Sequence, residues 1–450
     1  MKFILLLSIL FSNKVYCASS VTSGRFETFK KRKMYYSAYQ YLKEAVKKKN
    51  KIDEESIEIV LRNIHPSVLK NDKELKLLGK SSEQLHYAKG LHYFFRGKFA
   101  KAKTSLFKVK KRSSLYPETS FLLSVIYYSS KKYKKSVANL KRCVTTIENI
   151  EEYSKEDSIY KESLKNRCLL ALGRIYFEQK KYEKALTFQN KLKKVEAVWP
   201  HVLLDKAWTY YWLGRYEQAL GSLLTYQVPI LKRFLWPEVQ YLRALTYYDL
   251  CYFEKVDKIY ENYENQLYPL RTKLLKYKSK KALRELIKRK VPPKGRVLKK
   301  IYEILKSHKK DAKYSQFKKS LRRIDGEIKF FKNKGLVNRY NKAYESLLTF
   351  RKILIGDFEN YLAYLLKTYN QELLRFKKHF SKLKLELGIK KRKFIVKSKK
   401  VKFIDDFSDL DLDNIEAAKN KFIWEFKGGF WADELGDYAV AVESNCKNEK

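Results

Sequence analysis

The residues able to do chemistry are few, and their spacing does not suit catalysis. Asp433 and Glu434 adjoin, yet neighbours on a helix point in different directions and cannot serve one substrate as an acid and base pair. The six histidines are scattered and no two cysteines stand at CxxC spacing, so no metal set is written locally. A GxSxG elbow, an HExxH pair, a phosphate-cradling glycine loop and a dinucleotide fingerprint are all missing. Asp405, Asp406, Asp409, Asp411, Asp413 and Glu416 form the densest acidic cluster. It lacks the turn glycine and the closing glutamate of a calcium loop, and docking on basic helices is its expected use. The expectation is a non-enzyme with no catalytic residue, metal or cofactor.

Cysteine chemistry depends on compartment. Lys2, the apolar run Phe3 to Phe11, and Val15 and Cys17 before Ala18 read as a secretory leader over residues 1–17. Val15 and Tyr16 are too large for a lipid-attachment signal, so the expected product is exported, periplasmic or envelope-associated, and not a lipoprotein. That leaves Cys143, Cys168, Cys251 and Cys446 in an oxidising setting. Cys251 with Cys446 would tie the tail to the middle of the chain, and Cys143 with Cys168 would staple neighbouring helices. Free thiols buried in helix packing are the alternative.

The other residues with recognition chemistry are aromatic. Tyr87, Phe94, Phe95, Phe121, Tyr128, Arg174, Phe177, Trp208, Tyr211, Trp212, Tyr241 and Tyr248 recur along residues 84–269 at positions that share one helical face. Such side chains anchor a bound peptide or helix through large apolar burial with few rotatable bonds. The competing use is packing against the next helix pair or the chain's own C-terminal part.

The elements that must position them follow from a repeat of small and aromatic residues. Gly90, Tyr93, Phe99 and Ala102 are matched by Ser124, Tyr127, Tyr133 and Ser136, then by Gly173, Tyr176, Tyr182 and Ala185. Ala207, Tyr210, Tyr216, Ala219 and Ala244, Tyr247, Phe253, Val256 complete five copies. Small residues three before an aromatic mark where a partner helix comes close, so each copy predicts a pair of antiparallel helices. An excess between about Glu148 and Lys165 predicts a loop or lengthened helices.

This pattern resembles the tetratricopeptide repeat across residues 84–269. The resemblance implies an all-α solenoid whose first helices line a partner groove. His86, Ser120 and Leu203 stand where that family places tryptophan, and its closing proline is mostly absent or displaced. At the far end, Phe430-Trp431-Ala432-Asp433-Glu434-Leu435-Gly436 resembles a segment of tetratricopeptide envelope proteins of gliding and predatory Gram-negative bacteria, including adventurous gliding components. Glu425 and Gly429 depart from that pattern, which has Pro and an acidic residue there.

The flanking regions are read as helices as well. Residues 18–83 predict a helical cap or degenerate repeat, and residues 270–295 a basic helix ending in the Pro292-Pro293-Lys294-Gly295 boundary. Residues 296–388 form a long arm. There Leu347, Phe350, Leu354, Phe358, Tyr361, Leu365, Tyr369, Leu373 and Phe376 make a coiled-coil seam, its partner being the folded-back 296–335 region or another subunit. Residues 389–450 hold a basic linker, the acidic cluster and an aromatic tail around Trp424, Phe426, Phe430 and Trp431.

Charge bears on partners. Lys and Arg number 98 against 49 Asp and Glu, a formal +49, with basic residues running from Lys30 to Lys402. Together these features predict a non-catalytic scaffold in a bacterial envelope that holds proteins in its aromatic groove. An electrostatic binder of anionic polymer, peptidoglycan or lipopolysaccharide, is the alternative. A membrane surface is a further candidate, whereas export argues against nucleic acid.

Overall fold

The computed structural model describes residues 22–48, 50, 52–72, 83–149, 155–192, 199–228, 231, 236–276, 279–308, 312–397 and 436–446. The leader at 1–17, the acidic cluster at 405–416, and the aromatic segment 423–435 with Asp433 and Glu434 lie outside the described residues. All regular structure among the described residues is helical. The chain is an all-α helical-repeat protein.

Five helix pairs form the array: α5 (Glu83–Phe95) with α6 (Phe99–Leu106), α7 (Tyr116–Ser129) with α8 (Tyr133–Glu148), α9 (Lys155–Glu178) with α10 (Tyr182–Asn190), α11 (Trp199–Trp212) with α12 (Tyr216–Leu224), and α13 (Pro237–Asp249) with α14 (Phe253–Asn262). Each helix packs on its partner, and each pair packs on the next through at least one of its helices. The small residues sit at the crossings. A Cβ on Gly90 would lie 2.6 Å from the Leu106 side chain, one on Gly173 would lie 3.5 Å from the Ala185 carbonyl, and Ser136 Oγ donates to the Ser124 carbonyl at 2.9 Å.

The turn inside each pair has one geometry. Gly97, Lys131, Lys180, Gly214 and Cys251 occupy the same register, and all five have φ between 56° and 71°. The next residue's N–H returns to the carbonyl five residues back, as in Lys98 to Tyr93 and Lys181 to Tyr176, each at 2.9 Å. This αL turn closes the orphan carbonyls at the end of the first helix. It strains a side chain modestly, so glycine is favoured but not required. The same turn joins the helix at 22–31 (α1) to α2 (Tyr35–Lys47), with Lys33 at φ 57° and Met34 N–H on the Phe29 carbonyl.

α3 (Glu54–Asn63) and α4 (Pro66–Asn71) lead from α2 into α5. After α14 a π-helical stretch at Tyr263–Leu267 precedes α15 (Leu270–Lys276), α16 (Lys280–Lys288), α17 (Arg296–Ser307) and α18 (Ala312–Asn333). Finally α19 (Asn341–Lys397) runs unbroken for 57 residues, roughly 85 Å at about 1.5 Å per residue. None of these helices is long and apolar enough to cross a membrane.

α19 ties the two ends of the molecule together. Its buried seam includes Leu347, Phe350, Leu354, Phe358, Leu362, Leu366, Tyr369, Leu373, Phe376 and Phe380. Phe350 meets Tyr36 and Tyr39 of α2 at 6.2 and 6.0 Å, and Phe358 meets Phe317 of the folded-back α18 at 5.4 Å. Phe380 reaches Tyr263 at 4.5 Å, beyond α14. Asp257 of α14 pairs with both Lys384 and Lys391. Burial alone would raise this carboxyl, but those two lysines bring it below the ordinary aspartate value.

Two disulfides and a strap complete the fold. Cys143 of α8 bonds Cys168 of α9, and Cys251 in the last turn bonds Cys446. Residues 436–446 cross the last two pairs, with Val440 N–H on the Glu217 carbonyl at 3.1 Å and Asn445 N–H on the Leu250 carbonyl at 3.0 Å. The strap passes so close to α12 that a Cβ on Gly221 would overlap the Tyr438 carbonyl. Glycine is required there by proximity, not by backbone angle.

Candidate partner-binding face

The twelve residues of the sequence-derived face fall on the first helices of the five pairs, and their surroundings divide them into three groups. On α13, Tyr241 is covered by α19, its ring 5.6 Å from Phe376, 5.3 Å from His379 and 5.4 Å from Phe380. Lys390 of α19 likewise lies 4.7 Å from the Tyr248 ring and donates to the Tyr248 carbonyl. This end of the face is filled by the chain's own long helix. Tyr87 packs against the main core, and Phe121 against the core cluster of α8 and α9.

A second group holds one repeat to the next through carboxylates. Tyr128 Oη donates to Glu178 at 2.8 Å, as does Tyr133 Oη. Tyr211 Oη donates to Asp249 at 2.5 Å, Trp208 Nε1 to Glu238 at 2.9 Å, and Arg174 Nε to Asp205 at 2.7 Å. In every case the donor belongs to one pair and the acceptor to the following one. Glu178 and Asp249 occupy the same register, five residues after Gly173 and Ala244.

The electrostatics follow from this packing. Burial pushes the Asp205 carboxyl up despite Arg174, pushes Glu238 up despite the Trp208 hydrogen bond, and pushes Asp249 up despite Tyr211. Burial, and next the Asp249 carboxylate, raises the Tyr211 hydroxyl strongly. For Tyr128 the hydrogen bond to Glu178 is the larger cause of a raised value, ahead of burial. Charge-assisted hydrogen bonds at these positions fix the rotation of each pair on the next and hold the aromatic rings in place.

The third group remains open. Phe95 is 42% exposed, Tyr128 43% and Trp212 54%, large values for side chains of this size. They do not hang free. Phe94 packs edge-on to Phe95, Tyr128 leans on Tyr133 at 5.8 Å, and Trp212 stacks on Tyr182 at 6.1 Å with planes 7° apart. Phe177 supports the other side of Tyr182 at 5.4 Å. In the first four pairs the aromatic that opens the second helix, Phe99, Tyr133, Tyr182 or Tyr216, packs on an aromatic near the end of the first, so the exposed rings are presented in fixed orientations.

Four functional carboxylates escaped the sequence reading: Glu178, Asp205, Glu238 and Asp249. For the first and last a signal existed, because both follow an aromatic at the same repeat register. Glu238, one residue after Pro237 at the helix start, reads locally as a first-turn acid and gives no sign of its tryptophan partner. Among the described residues, no group of three His, Cys, Asp or Glu is placed to hold a metal ion.

Fold and face together define a helical-repeat protein with a partly open aromatic surface. No family model matches the chain, and no curated protein matches it. Among solved structures, the apo form of RapI is similar over 74% of this chain and 98% of that chain, at 16% identity and a TM-score of 0.35. A likeness that slight carries no argument; the repeat architecture rests on the helix pairs themselves.

Proposed function

We propose that this protein is a tetratricopeptide-type scaffold of a bacterial envelope that binds a partner protein on the open part of its first-helix face. One observation carries the reading: Phe95, Tyr128 and Trp212 are exposed yet held rigid by neighbouring rings, while α19 already fills the α13 end. Pre-set aromatic anchors bind with little entropic cost and dominate interface energies. The leader-like residues 1–17 and the two disulfides support export, and the arm and tail would join the array to an assembly of the gliding type.

The test is site-specific photocrosslinking in cells, with the crosslinker placed at Phe95, Tyr128 or Trp212 and, as control, at Thr104 on α6. A single envelope protein captured from all three face positions and not from Thr104 is expected. Capture at Thr104 alone, or of different proteins at each face position, would overturn the groove assignment.

A further inference from the structure

Lysine and arginine run through the whole sequence, but the fold gathers one set of them. From Arg96 to Arg142, a span covering α6, α8 and their turns, the chain carries fourteen Lys or Arg and a single carboxylate, Glu118. That carboxylate offers the surface nothing, because it is buried with Lys161 Nζ at 2.9 Å. α6 buries Ala102, Ser105 and Leu106, and α8 buries Ser136, Asn139, Leu140 and Cys143, which turns the basic side chains of both helices outward. Lys98, Lys101, Lys108, Lys134, Lys141 and Arg142 are all exposed. Among the described residues, none of these six has a carboxylate partner.

A comparison within the same chain shows that the bias is local. α10, α12 and α14 carry Glu183, Glu217 and Glu254 in the first turn, where a negative charge complements the helix dipole. α6 and α8 have no acidic residue there, and the equivalent positions hold Ala100 and Lys134. Lys134 and Lys135 thus sit at the positive end of their helix among like charges. Such an arrangement lowers stability, and among the described residues the contact that faces these two lysines is the Tyr127 ring, 5.9 Å from Lys135 Nζ, with no carboxylate beside them.

The same face exposes phenylalanine. Phe99 and Phe107, eight residues apart and so on one side of α6, are 36% and 58% exposed, with Lys103 between them. We infer that the outer face of α6 and α8 docks on an anionic lipid surface, its cations meeting headgroup phosphates while Phe99 and Phe107 enter the acyl boundary. Cations with interleaved apolar rings are the composition of an interfacial membrane contact. A polymeric anion would satisfy the lysines but leave both phenyl rings in water, since phenylalanine has no group to bond it. The cations lie on the second helices and the partner face on the first, the two meeting where Phe99 touches Phe94 at 5.7 Å, so the lysine variants test this inference independently of the proposed partner groove.

The test uses the full chain and cosedimentation with vesicles of equal parts phosphatidylglycerol and phosphatidylethanolamine, with phosphatidylcholine vesicles as control. Binding only to the anionic vesicles, falling as salt rises, is expected. K134Q/K141Q should weaken it about thirtyfold, because each surface cation near anionic lipid contributes roughly one factor of five. F99A/F107A should weaken it while leaving the salt dependence in place, with unchanged circular dichroism for both variants. K319Q/K332Q, an equal charge change on α18, should bind like the parent. Equal binding to phosphatidylcholine would overturn the inference, as would equal sensitivity of the α18 variant. So would binding to soluble polyphosphate as tight as to vesicles and indifferent to F99A/F107A, which would make the occupant a polymer.

Discussion

Glu327 of α18 is the residue whose titration should be felt most. Its carboxylate accepts the N–H groups of Tyr36 at 3.1 Å and Ser37 at 2.8 Å and the Ser37 hydroxyl at 2.7 Å. Met34, at the start of α2, offers no side-chain cap, so a residue almost three hundred positions away does that work. Burial is the largest influence and raises the carboxyl from 4.5 to about 7, against the opposing hydrogen bonds and Arg323. Because the folded value lies above the unfolded one, the contribution to stability is complete below 4.5. It is lost as pH rises through 7. The gap between the two values corresponds to about 3 kcal/mol.

Asp205, Glu238, Asp249 and Glu372 are also raised by burial and tilt the parent's profile in the same sense. The informative quantity is therefore the difference between the parent and E327Q, read from urea denaturation at about pH 5 and about pH 8. The amide keeps one acceptor but turns an NH₂ toward a backbone N–H, which costs about 1–3 kcal/mol at every pH. E327Q should be the less stable protein at pH 5, and most of that deficit should vanish or reverse by pH 8. Parallel profiles for the two proteins, separated by a constant amount, would refute the argument from burial.

Three further outcomes follow from the packing. G221A should lift the strap, seen as faster amide exchange over residues 436–446 with α11 and α12 unchanged, and unaltered exchange there would contradict the close approach at Tyr438. In the chain-entropy picture, losing Cys251–Cys446 with its separation of 195 residues costs about 5 kcal/mol, and losing Cys143–Cys168 with its separation of 25 costs about 3.5 kcal/mol. Denaturation of C446S against C168S checks the order. K161M should cost about 3–5 kcal/mol by stranding buried Glu118, with most of it recovered in K161M/E118L; a double variant no better than the single would show that the pair is not coupled.

Much of the array was legible because its determinants are close in sequence. The small residues of a pair are twelve positions apart, and the αL turn between them closes on a carbonyl five residues back, so each pair is specified within one short window. The α1–α2 turn obeys the same rule, with Phe29, Tyr35 and Ala38 in register. Phe26 fills the place of the small residue and its bulk breaks the pattern, so residues 18–83 read in sequence as a helical cap or degenerate repeat. The excess before α9 is in part a longer helix, whose added turns carry Lys161 onto Glu118.

By itself, then, the sequence determined the helix pairs, their turns and the columns of aromatics, since these depend on neighbours along the chain. Which aromatics stay open was decided only by tertiary structure. Tyr241 and Phe95 read alike in sequence, yet one lies under Phe376 and Phe380 and the other faces solvent. The seam of α19 is equally plain in the sequence, but its choice of α2, α18 and the last repeat depends on surfaces built from distant segments. The cations of α6 and α8 follow the same logic: their number is a property of composition, and their convergence on one exposed face is a property of how the two helices bury their apolar sides.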